Sequence, residues 1–186
     1  MGGVQLPEAR AIVVVEGASD RSAVEALAKR RGRDLTAEGV AVVAIGGAQA
    51  IGRFLDVVWR PARGVELAGL CDVGEERHFR RALERAGLGA DLERAGFFVC
   101  DRDLEDELIR AIGTDAVEAI VEAEGDLTAF RTLQKQPEWR GRPTGEQLHR
   151  FMGSGGSRKV RYARLLVEAL DPARVPRPLD GVLARV

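Results

Sequence analysis

The sequence predicts an α/β fold in which a four-stranded parallel sheet of Rossmann type carries a helical C-terminal extension. Short, near-continuous apolar runs alternate with helix-period stretches over the first hundred residues, the pattern of parallel strands joined by crossover helices. Runs without polar alternation suit strands whose two faces are both covered. Beyond Asp103 strand-like runs vanish and the text becomes helical.

The first strand is expected over Ala11 to Val15, followed by a helix over Ser22 to Arg31 with Ala23, Val24, Leu27 and Ala28 on one stripe. The second strand, Val40 to Ile45, leads into a helix over Ala48 to Trp59. The third, Val65 to Cys71, leads into a helix over Glu75 to Ala86 whose apolar face is Phe79, Ala82 and Leu83. The fourth strand is Gly96 to Cys100. Helices then follow over Leu104 to Ile112, Ala116 to Glu124, Leu127 to Lys135, Gly145 to Met152 and Val160 to Leu170. Gly153 to Ser157 is expected to be a mobile loop. The tail with Pro172, Pro176 and Pro178 is expected to wrap the surface before a last short helix from Leu179. The implied organisation is an α/β core over residues 9–113 and a helical extension over 114–186, packed on the core and completing its site.

A chain of 186 residues, 45% hydrophobic and 31% charged, is ordinary for one globular domain. Its net charge of -1 excludes a protein that grips nucleic acid through a global basic excess, so such contacts must be local. Cys71 and Cys100 lie in apolar runs without metal-finger spacing, and are expected to be reduced and buried. Residues 1–8 lack a basic region followed by an apolar stretch, and no run approaches the ~20 residues of a membrane span. The expectation is a cytoplasmic protein without membrane contact.

Open parallel sheets bind ligands at the carboxyl ends of their strands, and acidic residues follow three of the four expected strands: Glu16, Asp72 and Asp101, with Asp103 and Glu105 just beyond the last. Each alone reads equally well as a cap on the helix that follows. Together they suggest carboxylates meeting at one sheet edge, where their repulsion is relieved by protonation or a bound cation. Oxygen ligands without His or Cys favour Mg²⁺ or Mn²⁺ over zinc. Gly17 permits a tight exit from the first strand, and Ser19 or Asp20 can cap the next helix. His78 and His149 have no motif spacing and are expected at the surface. Trp59 and Trp139 read as anchors of the core or an interface rather than base-stacking groups.

In that strand context Glu16-Gly17-Ala18-Ser19-Asp20 resembles the opening motif of the TOPRIM family, which includes topoisomerases, bacterial primases and OLD nucleases. Ile45-Gly46-Gly47 resembles the family's glycine after the second strand. The family's Asp-x-Asp after the third strand is met by Asp72 but not by Gly74, unless Glu75 or Glu76 reaches round from the following turn. Asp103-Leu104-Glu105 and Ser157-Arg158-Lys159 resemble two further features, an Asp-x-Glu and a late basic residue, of the OLD branch. The similarity runs through roughly residues 11 to 172.

The resemblance implies metal-dependent hydrolysis of nucleic-acid phosphodiesters by an Mg- or Mn-dependent endonuclease, with DNA ahead of RNA as substrate. Glu16 and Lys159 would be catalytic; Glu16, Asp20, Asp72, Asp103 and Glu105 would bind metal. Glu16, Asp72, Asp103 and Glu105 would hold one divalent ion, and Asp20 with Asp72 a second, about 3.5–4 Å away. Lys159 is a better match than Arg158 for neutralising the scissile phosphate, and Arg161 and Arg164 are expected to extend a basic face. The alternatives are a standalone TOPRIM ribonuclease acting on structured RNA, or a nucleic-acid-binding module weakened by Gly74. OLD nucleases usually carry an ATPase domain, and this sequence has no Gly-rich P-loop, so either a separate ATPase partner or nucleotide-independent action is expected. Tyr162, the one tyrosine, lies in a late helix, which argues against a topoisomerase.

Overall fold

The computed structural model of the chain describes residues 9–60 and 64–186. The segment 1–8, read above as lacking a signal peptide, lies outside the described residues. Strands β1 (Ala11–Val15), β2 (Val40–Ala44), β3 (Glu66–Asp72) and β4 (Phe97–Cys100) form one parallel sheet in the order β2-β1-β3-β4. Val14 pairs with Gly69 of β3 and with Val43 of β2, and Asp72 pairs with Cys100 of β4. The strand order reverses between β1 and β3, so a crevice opens where their carboxyl ends part.

Every residue of β1 is buried, because both faces are covered. Ile12 and Val14 pack against helix α2 (Ile51–Phe54) and helix α3 (Glu76–Ala86). Ala11, Val13 and Val15 face a larger core shared with α1 (Ala18–Arg30) and the C-terminal helices. These are α4 (Leu104–Ile112), α5 (Thr114–Ala123), α6 (Leu127–Lys135), α7 (Thr144–Gly153), α8 (Gly156–Ala169) and α9 (Arg177–Arg185). One continuous core therefore runs from β1 through α1 into the C-terminal half. Arginines at the end of α1 fasten it: Arg30 donates to the carbonyls of Val167 and Leu170 at 2.7 and 2.8 Å, and Arg33 to those of Leu183 and Val186 at 2.6 and 2.8 Å. These carbonyls lie at helix ends, where the intrahelical partner is missing or, as for Val167, replaced by a cap bond.

Three expectations need correction. The stretch Gly153 to Ser157 is not a loop throughout, since α7 runs through Gly153 and α8 begins at Gly156. Gly155, at φ 120°, makes the tight entry, and Lys159 N–H closes the first turn on its carbonyl at 3.0 Å. The proline tail lies on the surface only in part: Pro172 to Arg174 are exposed, as expected, but Pro176 and Pro178 are buried, the last helix already begins at Arg177 with Pro178 in its first turn, and Val182 and Leu183 enter the core. α9 lies so close to β4 that a Cβ on Gly181 would collide with the Phe98 ring. Finally, the single helix expected over Ala48 to Trp59 is three joined pieces: a 3₁₀ turn at Ala48–Ala50, α2, and a π-helical segment at Leu55–Trp59. Trp59 anchors its end, its indole N–H donating to Val65 O at 3.2 Å.

Cys71 and Cys100 are free and buried, as expected. Burial pushes the Cys71 thiol up to about 12 and the Cys100 thiol up as well. No described helix is long and apolar enough to cross a membrane.

Candidate active-site crevice

Glu16 leaves β1 at the crevice. Its carbonyl accepts the N–H groups of Gly46 and Gly47, both at 3.0 Å, and its carboxylate accepts the Asp72 N–H at 3.2 Å. The ends of β1, β2 and β3 are thereby tied at one point. Asp20, in the first turn of α1, reaches back to accept the Gly17 N–H at 2.8 Å. This cap starts α1 at Ala18, earlier than the apolar stripe suggests, and aims the Asp20 carboxylate at the crevice. Ser19 is buried without a capping bond.

The C-terminal half supplies the other wall. Glu105, in the first turn of α4, is only 3% exposed, and neither of its carboxylate oxygens has a hydrogen-bond partner. Lys159 Nζ stands 3.3 Å from Glu105 Oε1 and forms an ion pair with it. Lys159 occupies the first turn of α8, where the helix dipole disfavours a cation. The carboxylates offset that cost: although burial works against its charge, Glu105 and Asp20 hold the Lys159 ammonium above its ordinary pKa. Asp103 is engaged differently. One oxygen caps α4 by accepting the Asp106 N–H at 2.8 Å, and the other lies 2.6 Å from His149 Nε2.

The electrostatics follow from crowding. Burial, then the charges of Glu16, Asp20, Asp103 and Glu105, push Asp72 up to about 8. Burial and Glu105 push Asp20 up to about 6. Glu16 is raised by burial and by Glu75, against the pull of its Asp72 hydrogen bond. Asp103 alone moves down: burial would raise it, but the His149 hydrogen bond and the Asp106 N–H prevail.

All five carboxylates expected at the site therefore interact across one crevice, with Lys159 the one Lys or Arg ion-paired to them among the described residues. Asp101 does not join them. Its side chain is 80% exposed and turns to Arg110 at 3.4 Å. The expected basic face of α8 is also corrected. Arg158 and Arg161 turn to Asp126, Arg161 also pairs with Glu124 at 3.6 Å, and Arg164 pairs with Glu168 at 2.8 Å. His149 was expected at the surface, but it is a half-buried partner of Asp103. No sequence spacing could reveal this, because α7 and the turn before α4 are brought together only by tertiary packing. Of the two glutamates that could answer for Gly74, Glu76 is taken up by Arg80, whereas Glu75, 3.6 Å from His78 Nε2, still leaves its charge near Glu16.

Among the described residues no three His, Cys, Asp or Glu side chains form a tight, ready-made metal cage. The donor chemistry nonetheless fits a hard divalent cation: oxygen ligands throughout, three acids raised by burial and then by like charge, and a buried glutamate with one ammonium as its charged partner.

Residues 9–73 match the family model described as "Overcoming lysogenization defect protein-like, TOPRIM domain". That span holds Glu16, Asp20 and Asp72. The whole chain has the fold of two solved C-terminal regions of OLD proteins. One, from Burkholderia pseudomallei, is 20% identical, with a TM-score of 0.69 over 95% of this chain and 96% of that one. The other, from Xanthomonas campestris pv. campestris, is 21% identical, with a TM-score of 0.68 over 95% of this chain and 94% of that one. No curated protein matches the chain.

Proposed function

Starting from an OLD-like TOPRIM segment set in an OLD C-terminal fold, we propose that this chain is a metal-dependent nuclease that hydrolyses nucleic-acid phosphodiesters, with DNA ahead of RNA. The observation that carries the reading is Glu105, a buried carboxylate whose one charged partner is Lys159 at 3.3 Å and whose second oxygen has none, set beside like-charged acids. One ammonium does not balance that many carboxylates, and the excess buried charge is costly unless a ligand completes it.

In this reading Glu16, Asp20, Asp72, Asp103 and Glu105 hold Mg²⁺ or Mn²⁺, two ions in all, which would activate water and stabilise the leaving oxygen when bound. Glu16, fixed by the Asp72 N–H, stands where an acid with a raised pKa can take up or release a proton. Lys159 keeps its charge at neutral pH and faces the crevice, so it can neutralise charge building on a phosphate. The division into an α/β core over 9–113 and an extension over 114–186 acquires a function here, because Lys159 comes from the extension. A separate ATPase partner remains part of the proposal.

Gly74 favours a second reading, a nucleic-acid-binding module with weakened catalysis, because it supplies no carboxylate where the related motif has one. One assay separates the two: plasmid DNA and structured RNA are incubated with the protein and Mg²⁺, Mn²⁺ or Ca²⁺, beside Glu16→Gln and Asp72→Asn variants. The nuclease reading expects cutting with Mg²⁺ or Mn²⁺ and a loss of at least about 100-fold in each variant. Cutting that survives both substitutions contradicts the site. Metal-dependent binding without cutting selects the weakened module, and cutting of RNA alone selects the ribonuclease.

A further inference from the structure

Arg102 is the one non-glycine residue with a left-handed backbone, at φ 69°, among those described. It lies in the turn from β4 to α4, immediately before Asp103. Glycine would hold this conformation without steric conflict, so an arginine there suggests that its side chain is needed. The guanidinium reaches two groups: Asp106 Oδ1 at 3.3 Å and His149 Nδ1 at 3.2 Å.

The second contact fixes the chemistry of the ring. A guanidinium has donors only, so Nδ1 must accept and the ring proton must sit on Nε2. Nε2 then donates to Asp103 Oδ2 across 2.6 Å, while Asp103 Oδ1 accepts the Asp106 N–H. Capping of α4 needs only this last bond. The histidine and the strained arginine are additional, and they pin the second oxygen from α7, an element the cap does not involve.

We propose that Arg102 and His149 are positioning residues that hold the Asp103 carboxylate in one orientation at the wall of the acidic crevice, through the hydrogen-bonded chain from Arg102 to His149 to Asp103. The inference rests on the cation-binding reading of that crevice. Groups that orient a ligand carboxylate in this way set metal affinity by fixing the donor before the ion arrives.

The chain has two histidines, His78 and His149, so their ring nitrogens can be resolved by ¹⁵N NMR and assigned with His149→Gln. The wild type is expected to show His149 protonated at Nε2 with a lone pair at Nδ1, and Arg102→Gly to lose this single tautomer. Mn²⁺ affinity, measured calorimetrically, is expected to fall by about 10–100-fold in Arg102→Gly and His149→Ala. The Arg102→Gly fold should melt no lower than the wild type, because the left-handed turn is relieved. His149→Gln, whose amide can still donate to Asp103, should retain more affinity than His149→Ala. A wild-type ring protonated at Nδ1 overturns the proposal, as does unchanged Mn²⁺ affinity in both Arg102→Gly and His149→Ala. If the wild type neither binds Mn²⁺ nor cuts nucleic acid, the nuclease reading fails, and the ring tautomer still decides whether the relay exists.

Discussion

Two acidic groups meet helix α8 on different faces, and they are resolved in opposite ways. On one face Asp126 accepts from the Tyr162 hydroxyl at 2.9 Å and from Arg161, with Arg158 at 3.9 Å, so one carboxylate is surrounded by donors. Only Arg161 Nε is left without a partner. On the other face Lys159 pairs with Glu105 alone, while Glu16, Asp20, Asp72 and Asp103 crowd the same crevice. An ion cluster that is balanced within the protein is a structural joint. One that leaves more buried carboxylates than its single ammonium can balance favours a bound cation, as the proposed function requires.

The contrast can be broken from either side. If the proposed nuclease function holds, the largest effect is expected there: Asp72→Asn should abolish cutting of nucleic acid while leaving the fold intact. Next is Asp126→Ala, which strips the Tyr162 hydroxyl and Arg161 of their shared acceptor. It should cost about 2 kcal/mol, since one partner is half exposed, or roughly 4–8 °C in a melt of a chain this size. Divalent-ion binding measured calorimetrically should not change. The sign is opposite in the crevice: without metal, Asp72→Asn should melt higher than the wild type at pH 8.

That sign follows from linkage. Asp72 and Asp20 titrate in the fold at about 8 and about 6, above their ordinary 3.8. Between these limits the unfolded chain ionises them more readily than the fold does, so metal-free stability falls as pH rises from about 4 to about 8. Asp103 runs the other way: its depressed pKa stabilises the fold above about 4, and this is lost as pH drops further. Melts over pH 4 to 8 should therefore slope downward in the wild type and less steeply in Asp72→Asn. The smallest effect is expected from Arg164→Ala. Its pair with Glu168 is exposed and contributes less than about 0.5 kcal/mol, and filter-binding affinity for nucleic acid should not change.

The parallel sheet and its acidic strand ends were legible because they depend on local pattern: apolar runs with a carboxylate after them. Glu16 and Asp72 come together once β1 and β3 are neighbours, which strand order decides. His149 was not legible, since its role exists only when α7 packs beside the turn holding Asp103. Arg158, Arg161 and Arg164 read as a basic face because the Asp126 that absorbs two of them lies more than thirty residues away in sequence. The glycines before Lys159 read as a loop because glycine weakens an isolated helix, yet Tyr162, Ala163 and Leu166, buried in the main core, hold α8 in place from its first turn.

The most direct test of the crevice as an unmet charge is a pair of metal titrations at pH 8, following the melting temperature of the wild type and of Asp72→Asn as Mn²⁺ is added. The account predicts a saturable rise for the wild type, from a lower metal-free starting point, and little or none for Asp72→Asn. Equal rises in both proteins, or no rise in the wild type, would contradict it.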